Sequence, residues 1–424
     1  VGTLLSPRYR ASVLWQDTAE PHPVPVTPPP ESADVVIVGG GYCGLAAATE
    51  LGRRGRRAVV VDAHDLGWGA STRNGGMVLP ELKAGPRLLE RSYGELGTRL
   101  HAAVEAAFDH VEALIAEEHI DCAYERSGQL YVSHSERSAA HLDALAEELT
   151  SVGSTARVVR GDDLRAEIGS SLFAAGLVVD RSGGLHPARF HAGLTRVAFD
   201  AGASLHAHTA ATAVTRRSDR WTVATTRGAI DAGAVLIATN AYADALVPAL
   251  RRRVLPMGSF IIATEPLEPA LAASVLPTGR MVFNDRNLLW YWRLDPEGRM
   301  VFGGRKRLGP VQLDEARDFL HRSLLEVHPQ LAGVPVERAW GGNVALTLDR
   351  LPHCGQIDGL WYATGCNGSG VATNTWLGHG MAASICGDPL PPFAELRHRA
   401  IPLHRFRRAW LPAVSAWFRL QDRR

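Results

Sequence analysis

The sequence predicts a two-domain fold of mixed α/β (α+β) class, with a dinucleotide-binding domain discontinuous along the chain. Three observations carry this. Residues 34–62, DVVIVGGGYCGLAAATELGRRGRRAVVVD, join two apolar runs through a glycine turn and a small-residue helical stretch. A second glycine turn opening into a helical stretch, TGCNGSGVATN, lies far away at 364–374. Between them stand amphipathic helical segments and an aromatic, strand-rich block from Val254 to Gly304.

The elements follow in order. Proline-rich residues up to 30 read as an extended arm. Asp34–Val38 reads as a short buried strand, and Ala58–Val61 as a second, all apolar, as a parallel strand covered on both faces requires. Leu45–Arg54 is the helix between them, stopped by Gly55, and it leaves Asp62 at the tip of the second strand. Residues 86–150 carry apolar side chains at three-and-four spacing around a short strand-like piece, CAYERSGQLYVSH. GGLHPARFHAGLTRVAFDAGASLHAHTAATAV reads as loop, helix and strand, and AVLIATNAY (234–242) as a buried strand with a polar tip. FIIATEPL, LLWYWRLD and RMVFGGR are strands, 314–328 is a helix, and 361–387 is strand, turn and helix.

Composition narrows the function. The 424 residues are 46% hydrophobic and 21% charged with net charge +1, an ordinary globular balance that gives no support for a nucleic-acid partner. Lys83 and Lys306 are the only lysines. Five scattered cysteines without a C-x-x-C pair predict no disulfide framework, no metal site and a reducing cytoplasm. No apolar run approaches the roughly 20 residues of a membrane span, and the first 30 residues lack a signal-peptide layout.

Gly39, Gly41 and Gly44 fit G-x-G-x-x-G. The first permits the turn, the second lets backbone approach a pyrophosphate, and the third permits close helix packing. Asp62 is placed to accept a ribose hydroxyl. The loop GWGASTRNGGM (67–77) concentrates donors in Ser71, Arg73 and Asn74 and reads as a second clamp. The helix start at 364–374 suits the negative charge of a reduced flavin, so a flavin dinucleotide with one site per end of the chain is expected. Cys43 reads as a compact buried side chain.

These motifs, with LWQDTAEPHPVP, GGLHPARFHAGL, IATNAYADAL, LPMGSFIIATEPL, YWRLDPEGRMVFGGR, TLDRLPHCG and WFRLQDR, resemble the glycine/D-amino-acid oxidase-like (DAO) family over nearly the whole chain. The similarity is narrower to its gamma-glutamylputrescine oxidase branch. The resemblance implies a Rossmann-like FAD-binding domain, discontinuous in sequence, and an antiparallel-sheet substrate domain. The expected FAD-domain pieces are 1–85 with the N-terminal arm, 155–245 and 341–390, and the expected substrate-domain pieces are 86–154 and 246–340. Residues 391–424 form a tail helix packed on the body, with a membrane-surface helix as its alternative.

Carried onto this sequence, the resemblance gives Gly39, Gly41, Gly44, Asp62 and neighbouring Ala63 to the ADP half of FAD. Ser71, Arg73, Asn74, Gly75, Gly76 and Met77 fall along the pyrophosphate and flavin ring, Ala211 at the adenine with Thr239 in the same cleft, and Gly368, Ser369 and Gly370 at the pyrimidine end. Ser369 stands where the branch has histidine. The linking cysteine of sarcosine-oxidising relatives precedes a T-x-D motif and WGGNVALTLD has none, so FAD without a covalent link through Cys366 is expected.

The implied reaction removes a hydride from the carbon next to an amine nitrogen, giving an imine and then a carbonyl, with O2 reduced to H2O2. Tyr291 and Arg293 are the expected substrate-face residues, Trp290, Trp292 and Trp340 an aromatic wall, and Arg293 or Arg305 a carboxylate clamp. Lys306 is the candidate cation for oxygen, although its offset matches poorly. The alternatives are a biosynthetic oxidase of an unusual amine or amino acid, a D-amino-acid-type dehydrogenase with another acceptor, a non-catalytic flavin-binding partner and a nicotinamide dehydrogenase.

Overall fold

The computed structural model describes residues 4–243 and 246–422. Four parallel strand pairings join Ser204–His206, Ala58–Val61, Ser32–Val38, Gly228–Ile237 and Leu360–Thr364, in that spatial order, into the nucleotide-binding sheet. Side chains alternate between its faces, and both faces are covered. Val35, Ile37 and Val60 pack beneath the helices Tyr42–Arg53, Glu95–Glu117, Pro187–Asp200 and Gly370–Ile385. Val36, Val38, Val59 and Val61 pack instead against Trp221 and Val223 of an antiparallel ribbon, Ala211–Arg217 with Arg220–Thr225. Alternating burial on two covered faces is why these runs contain no polar position.

The start of helix Tyr42–Arg53 packs against the middle of helix Gly370–Ile385 because glycine permits it. A Cβ on Gly378 would overlap the Cys43 carbonyl, so helices Tyr42–Arg53 and Gly370–Ile385 touch backbone to backbone. Cys43 is buried there, and burial pushes its thiol up to about 12, so it acts as a packing group.

The second sheet has nine strands in the order Leu5–Arg10, Val336–Leu346, Leu255–Pro266, Arg299–Gly304, Trp290–Leu294, Met281–Asn284, Gln129–Ser133, Ala175–Val179, Ala156–Arg160. Six of its eight pairings are antiparallel. Its back face carries Trp290, Trp292, Phe302 and Ile262 against Leu320, Leu324 and Val327 of helix Leu313–Val327.

Sheet membership departs from the expected boundaries. Strands at 156–160 and 175–179, expected within a nucleotide-domain piece, complete the second sheet, and the N-terminal arm adds its edge strand. Helix Glu95–Glu117, expected in the substrate domain, buries Leu100, Val104, Phe108 and Val111 in the nucleotide-domain core. Periodicity gives an element's type, but the partner strand or helix is set by long-range packing.

The tail helix Arg407–Gln421 packs Trp410, Leu411, Val414 and Phe418 against Leu255, Met257, Leu288 and Leu308. The Asp422 carboxylate accepts the backbone N–H groups of Asn287 at 2.8 Å and Leu288 at 3.0 Å, tying the helix end to the second sheet's domain. Among the described residues no helix is long and apolar enough to cross a membrane.

Candidate active site

A cavity of about 1230 Å³ runs between the two sheets. At one end is the first glycine turn. Gly39 sits at φ +112°, and a Cβ there would lie 2.8 Å from the Ala238 carbonyl oxygen. A Cβ on Gly44 would overlap the Gly39 oxygen, so the helix can approach the turn only with glycine at this position. The helix start has no side-chain cap of its own. The Tyr42 N–H donates to Ser71 Oγ at 3.0 Å, fastening the loop 67–77 to the helix end. Asp62 accepts the Gly40 N–H at 2.8 Å and the His64 N–H at 3.0 Å. Burial raises its pKa and those donors oppose the rise. Each carboxylate oxygen keeps a further lone pair for a ribose hydroxyl.

The clamp loop is held mainly by its own polar groups. Asn74 accepts the Gly76 N–H at 2.7 Å and donates to the Ser71 and Ala70 carbonyls at 2.8 and 3.1 Å. Its side chain therefore shapes the loop. Arg73 donates to the Trp68 and Gly341 carbonyls at 2.7 and 3.1 Å, and burial lowers its pKa. From below, the indoles of Trp15 and Trp340 donate to the Asn74 and Arg73 carbonyls, each at 2.9 Å. Two tryptophans support the loop, and Trp340 is not part of an exposed wall.

The second helix start faces the same cavity. Gly368 has φ +105° with open space where a Cβ would stand, and helix Gly370–Ile385 begins with no side-chain cap. Asn367 pins the turn by accepting the Thr347 N–H at 3.1 Å. Cys366 lines the cavity and accepts from Asn240 Nδ2 at 3.3 Å. Ser369 donates to Glu81 at 3.3 Å, and Glu81 pairs with Lys83 at 3.1 Å. Glu81 and Lys83 line the cavity; Glu81 went unnoticed in the sequence, and Lys83 was noted there only for the rarity of lysine. Their one signal was position, in PELKAG directly after the clamp loop.

Of the sixteen cofactor candidates, Ala63, Met77, Ala211, Thr239, Gly75, Gly370 and most others line the cavity, while Gly44 and Gly76 sit just behind it. Thr239 Oγ1 is buried there with no partner. Two uncapped helix starts, glycines where backbone must be bare, a ribose-ready carboxylate and an orphaned hydroxyl fit a long dinucleotide such as FAD.

The sheet supplies the opposite wall. One cross-sheet row carries Leu177, Tyr131, Phe283, Tyr291 and Gly303 on a single face, by direct register. A Cβ on Gly303 would overlap the Tyr291 ring, so this glycine lets the ring lie down over the sheet, with its hydroxyl 3.2 Å from Ser259 Oγ. The aromatic wall is therefore Tyr131, Phe283 and Tyr291. Trp290 and Trp292 point to the back face because a strand alternates sides.

The expected catalytic residues divide. Tyr291 lines the cavity. Arg293 shares its face but lies beneath the loop, donating to the Leu185 carbonyl at 2.6 Å and stacking on Trp15, with its pKa pulled down to about 10 by burial. It does not reach the cavity lining. Lys306 pairs with Glu315 at 2.7 Å and is likewise outside the lining. Arg305 is the guanidinium that faces the cavity. Its Nε is buried without a partner, burial lowers its pKa, and its charged or titrating neighbours are Tyr291, Cys366 and Arg350, with no carboxylate among them.

Comparison with known proteins agrees with this geometry. The family model of the FAD dependent oxidoreductases (DAO) matches residues 34–384, and the chain belongs to that family. It is an enzyme of the FAD-dependent amine and amino-acid oxidoreductase class, and its cofactor is FAD. It is 32% identical to gamma-glutamylputrescine oxidoreductase of Escherichia coli (strain K12), over 92% of this chain and 93% of that protein. It is 33% identical to the probable oxidoreductase OrdL of Rhizobium meliloti (strain 1021), over 99% and 98%. Among solved structures, glycine oxidase from Geobacillus kaustophilus superposes with TM-score 0.73 at 23% identity, covering 88% of this chain and all (100%) of that one.

Proposed function

We propose that this protein is an amine oxidase acting on an elongated amine that carries a carboxylate, with a gamma-glutamylputrescine-like compound the first candidate. Arg305 carries the proposal. It is a cavity-facing guanidinium with a buried, unpartnered Nε and, among the described residues, no carboxylate that neutralises it, so a substrate carboxylate would complete it bidentately. The relative named for gamma-glutamylputrescine supports the choice of first substrate.

The two helix starts would hold FAD without a covalent link, and when bound it would supply the two-electron acceptor for a hydride. The protein's residues do the rest. Asp62 and the first glycine turn hold the ribose and pyrophosphate, and Gly368, Ser369 and Gly370 offer the second helix start. Tyr291, laid flat by Gly303, gives the amine an aromatic floor. Arg305 and Arg350 line the same cavity, and their charge disfavours an ammonium beside them and favours the neutral amine that can react. The amine loses a hydride from its adjacent carbon and a proton from nitrogen. The imine then adds water at carbon, its C–N bond breaks, and a carbonyl compound and ammonia (or an amine, from a secondary amine) are released.

A second reading, a dehydrogenase passing electrons to an acceptor other than O2, is favoured by one observation. Both lysines are ion-paired, Lys306 with Glu315 and Lys83 with Glu81, so neither offers a free ammonium to oxygen. A cytoplasmic location is part of the proposal, supported by five cysteines that are all free.

The test is to incubate the yellow holoenzyme in air with a panel of polyamine conjugates, diamines and amino acids, measuring H2O2 and carbonyl product together. Equal amounts of both from one class support the oxidase. Carbonyl only with an added dye supports the dehydrogenase, and neither from any member refutes both.

A further inference from the structure

We propose that the cavity has a second arm selecting a long amine with a second N–H donor at its far end, and that Gln129 reads that donor. This rests on the amine-oxidoreductase reading and adds the length and distal chemistry of its substrate.

The arm follows the cross-sheet row away from Tyr291. Phe283 and Tyr131 form its floor, with ring centroids 5.1 Å apart, and Leu145 and Leu149 of helix Glu136–Ser151 also line it. The arm ends at Gln129, two residues along the strand from Tyr131 and paired in the sheet with Val179 on one side and Met281 on the other. Strand spacing and rise put this end about 12 Å from Tyr291. A short amino acid at Tyr291 would leave the whole arm to water.

The far end carries two acceptors, Gln129 and Glu105, together with His101, whose buried and unpartnered Nε2 lies 3.9 Å from Glu105. Gln129 is 5% exposed, lines the cavity, and its Oε1 is buried without a hydrogen-bond partner. Buried polar groups are nearly always satisfied, so an unpartnered amide at the cavity wall marks a place for a ligand, and turning this amide over about its last bond brings its oxygen from the buried side to a donor in the cavity. Glu105 lines the same end, and its carboxylate adds negative potential although Arg181 shares it at 2.6 Å. An acceptor beside a carboxylate, beyond an aromatic and aliphatic floor, suits an ammonium or amide N–H carried on a methylene chain.

The test compares α,ω-diamines of increasing length with the matching n-alkylamines, as anaerobic reduction of the FAD holoenzyme. The expected result is a preference for the diamine that emerges only at long chain lengths, at least about tenfold, the scale of one hydrogen bond to a charged group. Gln129→Leu, of similar volume, should erase that preference, and Gln129→Glu should keep or strengthen it. A wild-type enzyme with no length-dependent preference overturns the inference. So does a Gln129→Leu variant that slows diamines and alkylamines alike, since a purely structural role would do that. Reduction by short amines alone overturns the arm and leaves the amine reading standing, whereas reduction by neither series overturns the arm, and failure of carboxylate-bearing amines as well overturns both.

Discussion

Replacing Arg305 with Met removes a guanidinium while keeping most of its stem volume, and its effects on folding and on binding should have opposite signs. The Arg305 Nε is buried and unpartnered, and the neighbours that perturb its charge include another arginine, Arg350, but no carboxylate. Removing an uncompensated buried cation relieves its desolvation, so the variant should unfold at the same or a higher temperature than the wild type. Binding should suffer instead. A hydrogen bond to a charged group contributes about 1.5–3 kcal/mol net, so the affinity for a carboxylate-bearing amine should fall by about 10- to 150-fold. An otherwise matched amine lacking the carboxylate should bind both proteins within about threefold, as it has nothing for the guanidinium to hold. The assay is the perturbation of the flavin absorption band on titrating carboxylate-bearing and carboxylate-free ligands, alongside a thermal melt. Equal losses for both ligands, or a large drop in melting temperature, would refute the reasoning and make Arg305 a structural residue.

Three further outcomes follow from the geometry. Gly44→Ala should yield protein with little bound flavin and a lower melting temperature, by about 1–3 kcal/mol of stability, because its Cβ would overlap the Gly39 carbonyl, as flavin-to-protein absorbance ratios can check. Lys306→Ala should leave turnover and oxygen reactivity unchanged, since its ammonium is spent on Glu315 outside the cavity lining; a stopped-flow reoxidation rate reduced tenfold would contradict this. Stability should fall as pH drops from about 6.5 towards 4, seen as a decreasing urea midpoint. Burial holds His186, His191 and His328 at about 4, below the ordinary histidine value, so the unfolded chain binds more protons than the folded one across that window. A urea midpoint flat across it would count against these histidines being buried and neutral.

What the sequence disclosed was the chemistry that only one residue type can perform. Gly39 and Gly44 were legible because a positive φ and a bare helix contact demand glycine wherever the turn occurs. Asp62 was legible from its place at the end of the second strand. The face of a strand was harder to judge. Trp290 and Trp292 attracted attention as aromatics, yet in WYWRL they alternate with Tyr291 and Arg293, and the fully apolar positions are the ones that go to the core. That parity was present in the sequence and read by size instead of polarity. Arg293 and Arg305 were indistinguishable in sequence because the difference lies in what covers them. Leu185 and Trp15, distant along the chain, close over Arg293, and among the described residues no carboxylate pairs with Arg305. The strands at 156–160 and 175–179 join the second sheet through pairings with each other and with Gln129–Ser133, and local pattern carries no record of those partners.

The central claim is that the two helix starts would hold FAD as the hydride acceptor and that Arg305 holds the carboxylate of the amine to be oxidised. It is tested most directly by mixing the holoenzyme with gamma-glutamylputrescine in the absence of oxygen and following the visible flavin band. The account predicts rapid bleaching in the wild type and, in Arg305→Met, bleaching that needs about 10- to 150-fold more substrate to reach the same rate. A flavin band untouched by this and every other amine would contradict it.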